Sequence, residues 1–250
     1  MLTDAAEHSA FTEATSVIDP REGMAFSYFD GAVSGKFREV TEPHRIVQSL
    51  RAADWPEGHT AIVEQRLEER AEGQGTFVRI REDGVPTDRL DAVITGWSEY
   101  WDKLTTHLRQ RRLAVVERFV QRYKNQHDWD SVDEFVAEDC KVHIPIPSLP
   151  QGREGMRTNG CAVCTAFPDV AVSREFFATE GDIVVERAHA KATHEGELMG
   201  IPATGRPVAW TELHAYRVQG GQITEVWSEP DLLGVMVQLG VIEPLGEGSS

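Results

Sequence analysis

The segment Pro207–Val218 carries the densest set of residues able to do chemistry. Read as a strand, its side chains alternate between two faces. Trp210, Glu212, His214 and Tyr216 then share one face, and Ala209, Thr211, Leu213 and Ala215 share the other. A carboxylate and an imidazole between aromatic walls is the composition of a small-molecule pocket with a few convergent polar groups. Imidazole moves protons near neutral pH, and a neighbouring carboxylate tunes it. Such a pair can remove a proton α to a carbonyl and protonate a developing enolate oxygen. That is the chemistry of an intramolecular aldol ring closure, provided the pocket folds a flexible substrate into a reactive conformer.

Four of the nine histidines (His143, His189, His194 and His214) fall in the strands of the second half. No H-x-H or H-E-x-x-H pattern accompanies them, so no metal and no cofactor is expected. Cys161-Ala-Val-Cys164 has C-x-x-C spacing without a second pair at zinc spacing. It lies in a helical pattern, Arg153–Phe167, where residues three apart share a face, so two buried thiols are expected, with redox chemistry as the alternative.

Around these residues, the second half reads as helices followed by strands. A short helix Ser131–Ala137, a strand Lys141–Ile146 and the helix Arg153–Phe167 precede strands Val170–Ala178, Ile183–His194, Pro207–Val218 and Gln222–Glu229. Gln219-Gly220-Gly221 marks a tight hairpin, and a last helix Asp231–Leu239 stops at Gly240. The first half predicts a helix Ala5–Phe11 and strands Met24–Phe29, Ala32–Val40, Arg45–Ala52, Ala61–Glu69 and Thr76–Glu82, with a turn at 73–75. Helical spacing then runs through Leu90, Val93, Ile94, Trp97, Trp101, Leu104 and Leu108, and on through Leu113, Val116, Phe119, Val120 and Tyr123. No Gly or Pro falls between Gly96 and Pro145, so one helix from Thr87 to about Lys124 is expected; the alternative is a break near Arg109–Arg112, where the apolar face is interrupted.

The 250 residues suit two domains of modest size. A net charge of −16, from 41 acidic and 25 basic residues, argues against nucleic acid or an anionic membrane as partner. No apolar run approaches a membrane span, the N-terminus lacks the pattern of a signal peptide, and three cysteines suit a reducing compartment; a cytoplasmic protein is expected.

The second half resembles the SnoaL-like polyketide cyclases of the nuclear-transport-factor-2-like group. The carriers are Gly152-Arg-Glu-Gly-Met156, Ala166-Phe-Pro-Asp169, the run from Thr193 to Arg206, Glu212-Leu-His214 through Ile223, Glu225-Val-Trp227, and Asp231 through Gly240. The resemblance implies a cone: a bent sheet wrapped around helices, enclosing a pocket. It also implies a functional histidine at His214, and pairing of homodimers through the open sheet face. The cyclases' acid/base aspartate on the last strand corresponds to Ser228 here. Either Glu212 and His214 carry the proton transfer, or Ser228 positions a ligand by hydrogen bond.

The first half resembles the C-terminal domain of activators of heat-shock-protein-90 ATPase, which are START-like helix-grip folds. Phe26, Asp30-Gly31, Gly35-Lys-Phe37, Arg45-Ile-Val47, Trp55-Pro-Glu-Gly-His59, Gly84-Val-Pro86 and Gly96-Trp97 carry it. Such domains begin with a further strand and a complete helix, so either the start codon is misassigned or a truncated form is expected here. Phe26, Tyr28, Phe37, Trp97 and Trp101 are its candidates for lining an apolar cavity.

The expected architecture is therefore α+β in two domains, 1–109 START-like and 110–250 a SnoaL-like cone, joined by a long helix. The expected function is cyclase or isomerase-type acid/base chemistry on a polyketide-like or other hydrophobic carbonyl compound. The expected catalytic residues are His214, Glu212 and Ser228, with His143, His194, Trp210, Tyr216 and Trp227 contacting substrate. The competing readings are a non-catalytic protein that binds a hydrophobic ligand in an apolar pocket where a structural partner neutralises Glu212, and a scaffold or regulator with no cavity in either domain.

Overall fold

The computed structural model describes residues 2–70 and 75–243. The turn expected at 73–75 falls largely outside them. The chain divides into two compact units, Met1–Leu108 and Arg109–Ser250.

In the first unit, helix α1 (Ala5–Thr12) is capped by Asp4, whose carboxylate accepts from the Glu7 N–H. Six strands follow: β1 (Val17–Ile18), β2 (Ala25–Tyr28), β3 (Val33–Thr41), β4 (Arg45–Ala52), β5 (Ala61–Glu69) and β6 (Thr76–Asp83). They form an antiparallel meander in chain order. The two-residue β1 is too short for sequence alternation to register. Phe26, Phe37, Ile46, Leu50, Trp55 and Val63 form the core against this sheet, with Val93 and Trp97 packed on it. The Trp55–His59 segment is an ordered loop: Trp55 is buried and the His59 ring stacks edge-on against it.

Helix α2 runs unbroken over Leu90–Val120, past Arg109–Arg112. A 3-10 turn at Thr87–Arg89 leads in, and a π-helical turn, Gln121–Asn125, follows directly. Such turns are uncommon and frequently sit at functional sites; this one contains Lys124.

In the second unit, α3 (Val132–Phe135) passes directly into β7 (Val136–His143), after which come α4 (Gly152–Ala166), β8 (Ala171–Glu180), β9 (Ile183–Thr193), β10 (Pro207–Gln219), β11 (Gln222–Pro230) and α5 (Leu232–Leu239). The sheet order is β7-β11-β10-β9-β8, parallel between β7 and β11 and antiparallel elsewhere. The first strand therefore starts five residues earlier than its sequence pattern suggests. Its pairing with β11 (Val136 against Ile223, Val142 against Val226) buries Val136, Ala137, Cys140 and Val142, and this tertiary burial overrides the local helical preference of 136–137. Phe119, Tyr123, Phe135, Met156, Tyr216 and Ile223 form the main core. Fully burying an aromatic or large aliphatic side chain contributes about 1.5–3 kcal/mol each.

Two motif features have plain structural reasons. Gly152 starts α4 at φ +68°, where a Cβ would come within 2.2 Å of the Glu138 carbonyl. Next to it, the Gln151 side chain accepts from the Val142 N–H (2.8 Å) and donates to its carbonyl (3.1 Å), so α4 is pinned to β7. The Asp169 carboxylate likewise accepts from the Thr193 N–H (2.6 Å) and hydroxyl (2.7 Å), tying the end of the α4 loop to β9. The paired thiols of α4 are not both buried: Cys161 faces solvent and Cys164 is half-buried. The buried stripe of α4 runs through Gly152, Met156 and Gly160 instead. No helix among the described residues is long and apolar enough to cross a membrane.

Candidate active site

Strand β10 alternates as its sequence requires. Val208, Trp210, Glu212, His214, Tyr216 and Val218 are buried, while Ala209, Leu213 and Gln219 are exposed. The buried face looks into a cavity of about 340 Å³ whose walls are largely apolar. His214, Glu212, Ser228, Trp210 and Tyr216 all line it. Ser228 reaches the wall because β11 pairs with β10 so that His214 and Ser228 are directly opposite. On its other side His214 is opposite Glu186 of β9. One row across three strands thus reads Glu186, His214, Ser228.

Sequence alternation did not single out two members of this site, Lys124 and Glu186. Lys124 Nζ donates to Glu186 Oε2 (2.9 Å) and to Glu212 Oε1 (2.7 Å). All three groups are shielded: the side chain of Lys124 is 11% exposed, Glu186 0% and Glu212 10%. Tyr216 donates to the same Glu186 oxygen (3.1 Å), and Trp210 Nε1 to Glu212 Oε2 (3.3 Å). Both residues carried a legible signal. Glu186 breaks a run of inward Val and Ala positions, Val184, Ala188, Ala190 and Ala192. Lys124 lies four residues after buried Val120, on the apolar helix face.

His214 Nε2 lies 3.1 Å from Glu212 Oε1, within ion-pair reach but not aligned as a hydrogen bond. Burial is the strongest influence on the ring and pushes its pKa below 6.5. Lys124 pushes the same way, and the carboxylates of Glu212 and Glu186 offset this only in part. The resting imidazole is therefore neutral at pH 7. Glu212 goes the opposite way. Burial opposes its ionisation, but the Lys124 ammonium and His214 outweigh burial and hold the carboxyl well below the usual carboxylate range. Burial drives the Tyr216 phenol well above its ordinary value, so it remains a donor.

With one ammonium between two carboxylates, the cluster is formally one positive charge short of balance. A proton taken up by His214 would supply that charge. The arrangement suits a neutral base whose conjugate acid forms beside waiting carboxylates.

Three expected substrate contacts are not brought to this cavity. His143 is on β7 at the outer side of the sheet, half-exposed, stacked on Trp227 and 2.9 Å from Glu225. Trp227 follows the outward alternation of β11, one residue from inward-facing Ser228. His194 is fully buried, its Nδ1 3.1 Å from the Thr204 hydroxyl, and it shapes the 194–205 loop. In each case period-two alternation, or a turn closed by the ring, directs the side chain away from the hollow. His189 is also outside, beside Glu175. Among the described residues no group of three or more His, Cys, Asp or Glu is arranged to hold a metal ion.

Comparison with known proteins divides at the same place as the two units. Residues 114–239 match the family model for SnoaL-like polyketide cyclase, and residues 1–109 match that for activator of Hsp90 ATPase homolog 1-like protein. The aklanonic acid methyl ester cyclase DauD of Streptomyces sp. (strain C5) is 29% identical over 140 residues, 55% of this chain and 86% of that protein. The activator of 90 kDa heat shock protein ATPase homolog 1 of Homo sapiens is 30% identical over 92 residues, 37% of this chain; the match spans 27% of that longer protein. The solved structure of TsrD from Streptomyces laurentii is 28% identical with a TM-score of 0.49, covering 54% of this chain and 98% of that one.

Proposed function

Since the chain belongs, through residues 114–239, to the SnoaL-like polyketide cyclase family, we propose that its second unit catalyses an aldol-type ring closure of a polyketide-like or other hydrophobic carbonyl compound. The observation that carries this reading is His214: a neutral, buried imidazole beside carboxylates, on the wall of an apolar cavity.

In this reaction His214 takes the proton from a carbon flanked by carbonyls. The electron pair moves onto the carbonyl oxygen, and the Ser228 hydroxyl donates a hydrogen bond to it. The enolate carbon attacks a second carbonyl of the same molecule, forming the C–C bond, and the imidazolium returns its proton to the new alkoxide. Product and substrate are isomers, and nothing is consumed. Glu212, kept ionised by Lys124, stabilises the transient imidazolium as the buried carboxylate of a catalytic triad does. Trp210 and Tyr216 wall the cavity and restrict the substrate's conformers. Glu212 thus supports the base and is not itself the base, because a carboxylate held so far below its usual range has little proton affinity.

Aklanonic acid methyl ester, the compound in DauD's name, is the first substrate to try. Conversion to an isomer of unchanged mass and altered retention, faster than in buffer, supports the reading. Binding of that ester and of a panel of related polyketide carbonyl compounds, with no accelerated cyclisation of any, counts against it.

That second outcome would favour a non-catalytic binding protein. One observation speaks for it: Glu212 is neutralised by a fixed partner, Lys124, as a purely structural carboxylate would be.

A further inference from the structure

The C-x-x-C pair of α4 has no part in the proton transfer, yet its two thiols are unequally placed. Cys161 is exposed, whereas Cys164 is half-buried and stands, with Phe167, on the wall of the second unit's cavity. Helix geometry, with a rise of ~1.5 Å per residue and a radius of ~2.3 Å, sets Cα atoms three residues apart at about 5 Å. A disulfide spans Cα separations of about 4.4–6.8 Å, so this pair is within bridging reach. The thiols also influence each other. Burial raises the pKa of Cys164, and the neighbouring Cys161 adds to the rise. The remaining cysteine, Cys140, is fully buried, and burial pushes its thiol up to about 12, which makes it inert.

The surroundings of the pair connect it to the cavity. Cβ atoms three residues apart on a helix lie about 5–6 Å from each other, and a disulfide needs about 3.5–4.5 Å. Bridging therefore has to draw in the last turn of α4, which holds Cys164 and ends at Ala166. That turn is tightly docked. The Ala166 carbonyl accepts from the N–H groups of Glu195 (3.0 Å) and Gly196 (3.2 Å). A Cβ at Gly196 would come within 1.9 Å of the Thr165 carbonyl oxygen, so the two segments touch backbone to backbone. Glu197, Leu198 and Met199, next in the chain, line the cavity. A shift at 164–166 thus reaches the cavity twice, through Cys164 itself and through the 195–199 segment.

We infer that Cys161 and Cys164 are a reversible redox site: a small-molecule disulfide of the glutathione type oxidises them to an intrahelical bridge, and the bridge weakens binding of apolar ligands in the cavity. The accessible Cys161 thiolate attacks one sulfur of the oxidant. The oxidant's S–S bond breaks, a mixed disulfide forms on Cys161, and one glutathione thiolate leaves. Cys164 gives its proton to solvent and attacks Cys161 Sγ, which expels the second glutathione thiolate. The protein dithiol loses two electrons and the oxidant gains them, giving two molecules of reduced glutathione. A bridge that strains its helix is readily reduced again. The switch acts on the shape of the cavity and is independent of the reaction carried out there.

The test uses the full chain, treated with excess glutathione disulfide, quenched in acid, alkylated and mapped by mass spectrometry. A Cys161–Cys164 disulfide with Cys140 still free is expected, and reduced glutathione should reverse it. Cys164→Ser should stop at a glutathione adduct on Cys161, and Cys161→Ser should form no bridge. The effect on the cavity is read from the indole N–H resonances of Trp129 and Trp210, both on its wall, and from calorimetry with 2-acetylnaphthalene as probe. Oxidation alone should move both resonances. The disulfide form should bind the probe at least about fivefold more weakly than the dithiol form. Cys161→Ser should bind like the dithiol form with or without oxidant. The inference is overturned if wild type ends with a glutathione adduct only or with all three thiols free. It is equally overturned if the bridge forms without moving either resonance, if the dithiol form binds no probe, or if the disulfide form binds it as tightly.

Discussion

Replacing Lys124 by Met keeps most of the aliphatic stem and deletes the ammonium. In the native site that ammonium bridges Glu186 and Glu212 at 2.9 and 2.7 Å, with little solvent to screen either contact. Without it two buried carboxylates share a wall with no cation. Breaking a buried ion pair by removing one partner costs about 3–5 kcal/mol. Two contacts are lost here, so the upper half of that range is expected. For a unit of this size the cost corresponds to a fall of roughly 8–20 °C in Tm. The second consequence is electrostatic. Lys124 helps hold the His214 pKa below 6.5, whereas the two carboxylates raise it. Deleting Lys124 should therefore move the His214 titration upward. Calorimetry gives the first number, and the pH dependence of the His214 ring-proton resonance gives the second. A Tm within 2 °C of wild type, or a His214 midpoint that stays put or falls, would refute the reasoning (the threshold of about 2 °C corresponds to less than ~1 kcal/mol).

Ser228→Ala should cost under about 1 kcal/mol of stability, as the hydroxyl serves the cavity and not the core. It should reduce kcat/KM by about tenfold, the worth of one hydrogen bond to the enolate oxygen; steady-state kinetics at unchanged rate would remove Ser228 from the mechanism. Gly160→Ala places a Cβ 2.5 Å from the Trp129 ring and 2.9 Å from the Tyr123 hydroxyl. Overpacking of about 1–3 kcal/mol should follow, read as a lower denaturant midpoint. Fully buried His8 has its pKa lowered to about 4 by burial. Its unfolded form binds a proton at higher pH, so the first unit's stability is intact above pH 6.5. It should decline as pH falls from 6.5 towards about 4, by on the order of 3 kcal/mol in all. His8→Gln should flatten that part of a denaturant-midpoint profile, and an unchanged slope would show that other groups carry it.

Much of this architecture is legible in the residues. Period-two alternation correctly places Trp210, Glu212, His214 and Tyr216 on one buried face, and the gap in Gly and Pro after Gly96 marks the unbroken helix. What alternation cannot supply is the third dimension. Lys124 and Glu186 are 62 residues apart in sequence and meet only because a π turn and β9 converge over the cavity. His143 and Trp227 have the chemistry of a site yet fall on the outer sheet face, and His194 closes a loop. Strand β7 starts early because its partner β11 buries it, a long-range effect that no local pattern encodes. The expectation of a filled core in a scaffold protein fails in both units, each of which encloses a cavity.

The central claim is that the His214 imidazole moves the proton in the reaction. The direct measurement is His214→Ala with aklanonic acid methyl ester or whichever carbonyl substrate wild type cyclises, recording the dissociation constant and single-turnover rate separately. The account predicts a dissociation constant within a few-fold of wild type and a rate lowered by about 10²–10⁴-fold, the usual contribution of a positioned general acid–base group. A variant that closes the ring at the wild-type rate, with ligand bound, would contradict it.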